Sequence, residues 1–192
     1  MNPDRAVPGQ DPYGRATREP AAAAGGGARA AGVLLGLSTV LVGLMAGLFF
    51  AFDVSVMPGL ARLDDAAYVA AMDRFNTAID GNGLFGSVFV LALLTTAAAA
   101  LVSLRTGHRT IALWAGAAAV AYLAVLVITF AVNIPLNDEL ADAAGAARSA
   151  APVVDKFKGT WVTTNILRTL LSTLALVALV RALLLHGRAT AR

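Results

Sequence analysis

The sequence predicts an all-α integral membrane protein, a four-helix bundle with a short amphipathic helix in its first outer loop. Three observations carry this. Hydrophobic residues make up 58% of the chain and gather in four long runs, at about 31–52, 83–104, 111–132 and 161–185. Each run is long enough for a helix of roughly 20 residues crossing about 30 Å of hydrocarbon. None contains an acidic residue, and charged residues are only 14% of the chain, against about 25% in a typical soluble domain.

The domain reading follows from the runs. Residues 1–30 hold Pro3, Pro8, Pro12 and Pro20, then the low-complexity 21-AAAAGGGARAAG-32, and read as a disordered tail without a core-forming pattern. Residues 31–186 form the transmembrane domain, and 187–192 a short cytoplasmic tail. The first run is too long, and too far from the start, for a cleavable signal peptide. With no cysteine in the chain, disulfides and thiolate metal sites are excluded. The net charge of +3 is dispersed between spans and implies no nucleic-acid partner; membrane lipid is the expected surround.

Lys and Arg set the orientation. If the N-terminus is cytoplasmic, the inside holds nine arginines against three acids, with the short 105-RTGHR-109 loop as its clearest marker. The outside then carries six basic residues against nine acids. Both termini are therefore expected in the cytoplasm, with the protein in a plasma membrane of bacterial type.

In chain order, the first span carries Gly32, Gly36, Gly43 and Gly47; glycines four apart predict close helix packing. Pro58-Gly59 closes that segment. In 64-DDAAYVAAMDRFNTAID-80 the spacing of Tyr68, Met72, Phe75 and Ile79 predicts one apolar helix stripe, N-capped by Asp64, on the outer membrane surface or capping the bundle. The second and third spans, rich in small residues, form an antiparallel hairpin. A second outer loop runs from 133-NIPLNDELADAAG-145 to 155-DKFKGTW-161.

Polar groups concentrate on the outer side. Asp53 ends the first span, Asn133, Asn137, Asp138 and Glu139 follow the third, and Trp161, Thr164, Asn165 and Arg168 open the fourth. On a helix, Trp161, Thr164, Asn165, Arg168 and Ser172 share one face. Arg168 lies seven residues below Trp161, roughly 10 Å deeper. Its charge can snorkel to the headgroups, pair with Asp53, Asp138 or Glu139, or serve a ligand pocket. Asn165 is too short to snorkel and should face the bundle interior. Both histidines, His108 and His186, fall on the cytoplasmic side, so a nucleophilic triad in the polar cluster is excluded. No metal-binding motif and no phosphate-cradling loop is present.

Three stretches together resemble the anthrone-oxygenase-like family of small four-span membrane proteins: 47-GLFFAFDVSVMPGLARLDD-65, 131-AVNIPLNDEL-140 and 161-WVTTNILRT-169. The resemblance covers about residues 33–185. It implies oxidation of a lipophilic phenolic or polyketide-like compound by molecular oxygen, with no cofactor and no metal. An anthrone loses a carbon-bound proton to give an enolate that reacts with oxygen directly. On that implication Asp138 or Asp53 is the base and Arg168 the enolate stabiliser. Asn133, Asn137 and Asn165 orient phenol and keto groups, and Trp161 stacks on the rings. One departure from the family pattern is Ile166, where the family often carries His. The alternative is a non-catalytic membrane protein, a scaffold or lipophile binder, whose polar cluster serves packing.

Overall fold

The computed structural model describes residues 19–145 and 151–191; the first eighteen residues of the expected tail lie outside them. The described helices are, in chain order, α1 (Glu19–Ala51), α2 (Met57–Leu60), α3 (Asp65–Asp80), α4 (Gly83–Arg105), α5 (Arg109–Ile128), α6 (Ile134–Gly145), α7 (Ala151–Lys156) and α8 (Val162–Thr190). Three π-helical turns, Phe52–Val56, Thr129–Asn133 and Phe157–Trp161, join α1 to α2, α5 to α6 and α7 to α8. The chain is thus four long, apolar, membrane-spanning helices, two of them continued and one preceded by shorter helical pieces.

The spans close into a ring. α1 packs on α4, α4 on α5, α5 on α8, and α8 back on α1. The core along the bundle axis joins Leu35, Val42 and Phe49 of α1 to Ala115, Ala118 and Tyr122 of α5 and Ala175, Leu179 and Ala182 of α8. Alanines at these crossings let the helices approach closely. Large aliphatic side chains such as Val33, Leu113, Val120 and Leu170 face outward. That inversion suits a hydrocarbon surround, where apolar exposure carries no penalty. Tyr122 links two spans by donating to the Phe89 carbonyl at 3.3 Å.

The first helix begins at Glu19, upstream of the apolar run that starts near residue 31. Two expectations are corrected. The first-span glycines are not a uniform packing seam. A Cβ on Gly32 would stand 2.8 Å from Nε2 of His186, but Gly36 and Gly47 have open space and Gly43 meets only Leu176 at 3.7 Å. The second outer loop is helical through α6 and α7 wherever it is described.

The continuous helical stretches 26–60, 109–143 and 151–190 are 35, 35 and 40 residues long. At 1.5 Å per residue they overrun about 30 Å of hydrocarbon. The excess lies at the end bearing α3, here called the cap end, where α2, α3, α6 and α7 pack together. This cap has its own apolar core, including Met57, Tyr68, Met72, Leu140, Val154 and Phe157. α3 caps the bundle, one of the two placements the sequence allows. Asp64 is its N-cap, accepting from the Ala67 amide at 2.9 Å. Its buried face is Tyr68, Val69 and Met72, while Phe75 stays 43% exposed. Lys158 reaches α3 twice, 3.6 Å from Asp65 and 4.8 Å above the Tyr68 ring.

Tyr68 yields a prediction. Its hydroxyl is buried with no hydrogen-bond partner, and burial pushes its pKa up to about 12. Between about pH 10, where an unfolded tyrosine ionises, and about 12, the unfolded chain sheds this proton while the folded chain keeps it. Stability is therefore fully present below about pH 10 and falls above it. Tyr68→Phe should reduce that alkaline loss in thermal melts. At neutral pH it should be neutral or stabilising by up to about 1 kcal/mol, because it removes an unpaired buried hydroxyl.

Candidate functional site

A cavity of about 290 Å³ lies where the bundle meets the cap. Its walls come from α1, α3, α4, α6, α8 and the π turns. Phe49, Phe52, Phe85, Phe89, Phe130 and Trp161 make it largely aromatic. Phe89 sits at the junction, its ring centroid 6.1 Å from Phe85 and 6.3 Å from Phe130. Into these walls project Arg168, Asn165, Asn133, Asn137 and Thr129, with Asn76, Asp80 and Asn82 toward the cap. An apolar cavity with a few convergent polar groups is the usual form of a small-molecule site.

The polar end is organised by Asn165, which is fully buried. Its Nδ2 donates to the Phe49 carbonyl at 3.0 Å and to Asp53 Oδ1 at 2.5 Å. Its Oδ1 accepts from the Arg168 guanidinium at 2.8 Å. Asp53 Oδ2 accepts from Thr169 at 2.5 Å. Asp53 and Arg168 are thus joined through a carboxamide, and no direct ion pair between them occurs among the described residues.

Arg168 is 5% exposed. A second donation runs from its guanidinium to Thr129 Oγ1 at 3.2 Å. The guanidinium carbon lies 4.5 Å from the Phe49 ring centroid and 5.3 Å from that of Trp161, so aromatic faces supplement its hydrogen bonds. Its Nε remains a buried donor without a partner. This geometry is not snorkelling: the cation is retained inside the bundle.

The amides on the α5–α6 side complete the set. Asn133, 1% exposed, donates from Nδ2 to Thr164 Oγ1 at 3.0 Å, and its Oδ1 is a buried acceptor without a partner. Asn137 Oδ1 accepts from the Trp161 indole at 2.9 Å, which fixes the ring plane on the cavity wall. Arg168 Nε and Asn133 Oδ1 thus lack partners on two residues that line the cavity, and both atoms are themselves buried. Leaving such atoms unpaired costs about 1–3 kcal/mol each.

The expected residues divide as follows. Arg168, Asn133, Asn137, Trp161 and Asn165 line the cavity. Asp53 is half-buried behind Asn165 and is not on the wall. Asp138 is exposed and also off the wall, and Glu139 pairs with Lys156. Ile166 is 46% exposed and does not line the cavity, so a histidine in its place would stand on the outward face of α8. The sequence reading missed Thr129 and Thr169, one following the apolar run of α5 and the other one turn beyond Asn165. It also named no residue of α3 as part of the site. Met72, Asn76, Ile79 and Asp80 all line the cavity, and their i, i+4, i+7, i+8 spacing is a single helix face. That spacing was available in the sequence but mixes polar and apolar residues.

Residues 75–178 match the family model described as anthrone oxygenase. The matched stretch includes Asn133, Asn137, Trp161, Asn165 and Arg168. No curated protein and no solved structure matches the chain.

Asn165→Leu should be far more damaging than its size suggests. It strips the guanidinium of one acceptor and leaves Asp53 with Thr169 as its remaining partner. The expected loss is about 3 kcal/mol, read as a lowered Tm in detergent; an unchanged Tm would show that the carboxamide link does not hold the site.

Proposed function

Because the chain belongs to the anthrone oxygenase family, we propose that its cavity binds a lipophilic hydroxyaryl ketone and that molecular oxygen oxidises an activated methylene of that compound. The observation that carries this reading is an aromatic cavity lined by the buried cation Arg168 together with the amides Asn133 and Asn137. A phenol-ketone has the complementary acceptor and donor, and its fused rings suit the aromatic surround.

The chemistry uses the cation directly. Loss of a proton from the methylene sends the C–H electron pair into the ring system and leaves negative charge on the keto oxygen. A guanidinium held in place before the reaction stabilises that enolate oxygen more than the neutral ketone. The electron-rich carbon then reduces oxygen, forming a C–O bond; protonation gives a hydroperoxide. Loss of water converts it to a second ketone, so methylene plus O₂ gives carbonyl plus H₂O. Asn133 and Asn137 orient the substrate hydroxyl and keto groups, and Trp161 packs on the ring face. Asn165 acts on Arg168 rather than on the substrate.

A second reading, lipophile binding without catalysis, is favoured by one observation: neither Asp53 nor Asp138 is on the wall. Incubating purified protein with hydroxyanthrones, with and without oxygen, separates the two. Oxygen-dependent quinone formation above the uncatalysed rate supports the oxygenase, whereas saturable binding without turnover supports the binder. Arg168→Met should lower turnover by about 100-fold or more, and Arg168→Lys should restore only part of it, since lysine lacks the planar fork. Full turnover by a folded Arg168→Met protein would overturn the assigned role.

We also propose that the cap end faces outward and both termini lie in the cytoplasm, from the distribution of arginines. In intact cells an impermeant thiol reagent should label Arg62→Cys and spare Thr106→Cys; the opposite pattern would reverse the orientation.

A further inference from the structure

We infer that Asp80 is the base that removes the substrate's carbon-bound proton, an inference that rests on the oxygenase reading above. Among the residues lining the cavity Asp80 is the only acidic one. It belongs to the α3 face that also carries Met72, Asn76 and Ile79 into the cavity. Neither ion pair among the described residues involves it, so its carboxylate is not committed to a cation.

The reaction places a demand on where the base stands. In an anthrone-type substrate the carbonyl carbon and the acidic methylene stand opposite each other across the central ring. A cation that stabilises the enolate oxygen and a base that takes the methylene proton must therefore occupy opposite ends of one cavity. Arg168 reaches Thr129, next in sequence to Phe130, whose ring lies 6.3 Å from Phe89. Asp80 precedes the turn at Gly81 and Asn82, where α4 starts. Asn82 is seven residues before Phe89, roughly 10 Å toward the cap. Asp80 thus lines the cavity from the cap helix α3, whereas Arg168 lines it from α8. Asp53 fails the same requirement, because it is tied to Asn165 on the Arg168 side.

The proton passes from the methylene carbon to an Asp80 carboxylate oxygen, and the C–H pair becomes the enolate beside Arg168. Oxygen is the oxidant, and Asp80 can return the proton as the peroxide forms. Asp80 lines the cavity and is exposed to solvent, so the proton can also leave to water.

Exchange of the methylene hydrogens for deuterium from heavy water, measured without oxygen, isolates this step. Wild-type protein should catalyse the exchange. Asp80→Asn should slow both exchange and aerobic oxidation by about 100-fold or more, with hydroxyanthrone binding and Tm retained. Asp80→Glu should recover part of both rates, and Asp142→Asn, an exposed carboxylate off the cavity, should match wild type. Wild-type exchange by a folded Asp80→Asn protein would overturn the assignment while leaving the oxygenase reading in place. A wild-type protein that neither exchanges nor oxidises the hydroxyanthrones would overturn the oxygenase reading, and this inference with it.

Discussion

A guanidinium enclosed in a membrane bundle sets conditions that much of the surrounding structure meets. Placing a charge near the bilayer centre costs from about 3 to well over 10 kcal/mol, and Arg168 is held inside rather than lifted to the surface. The answer is a chain of partners. A carboxamide can accept from a cation and donate to an anion at the same time, and Asn165 does both, joining Arg168 to Asp53. Thr129 takes a second guanidinium hydrogen and the Phe49 and Trp161 rings flank its carbon. The arrangement neutralises the charge at a distance without placing a carboxylate against it. It also leaves Nε buried without a partner.

The π turns give these side chains their directions. In the first, the Met57 amide bonds to the Phe52 carbonyl five residues back, and in the second Ile134 bonds to Thr129 in the same way. Each has a local cause in the chain. Pro58 and Pro135 have no amide hydrogen, and their rings would crowd the carbonyls of Val54 and Ala131 four residues earlier, so a wider turn forms just upstream. The third turn contains Gly159. Inserting a residue rotates the helix that follows, and the turns themselves carry Asp53, Thr129, Asn133 and Trp161. Such bulges recur at functional sites because they re-aim side chains without ending the helix.

The cavity forms at a seam between two kinds of packing. Below it, small side chains bring the spans together along the bundle core. Above it, the helical overruns and α3 build a cap core of larger side chains. Phe49 and Phe89 of the bundle core meet Phe52 and Trp161 of the cap core at this seam, and all four line the cavity.

Much of this was legible in the sequence. Four acid-free apolar runs of spanning length dictate four helices, and the Asp64 cap and the α3 stripe follow from local chemistry. Trp161, Asn165 and Arg168 could be placed on one face because helical periodicity is a property of the chain alone. The tertiary structure decided which groups meet across helices. Asp53, Thr129 and Thr169 join one network although they are far apart in sequence, and Asp138 is turned out of it. The apolar stripe read from α3 left out Asn76 and Asp80, yet the cap sets both on the cavity lining. A periodic pattern specifies a face, whereas the neighbour of that face depends on how the helices cross and where a π turn shifts the register.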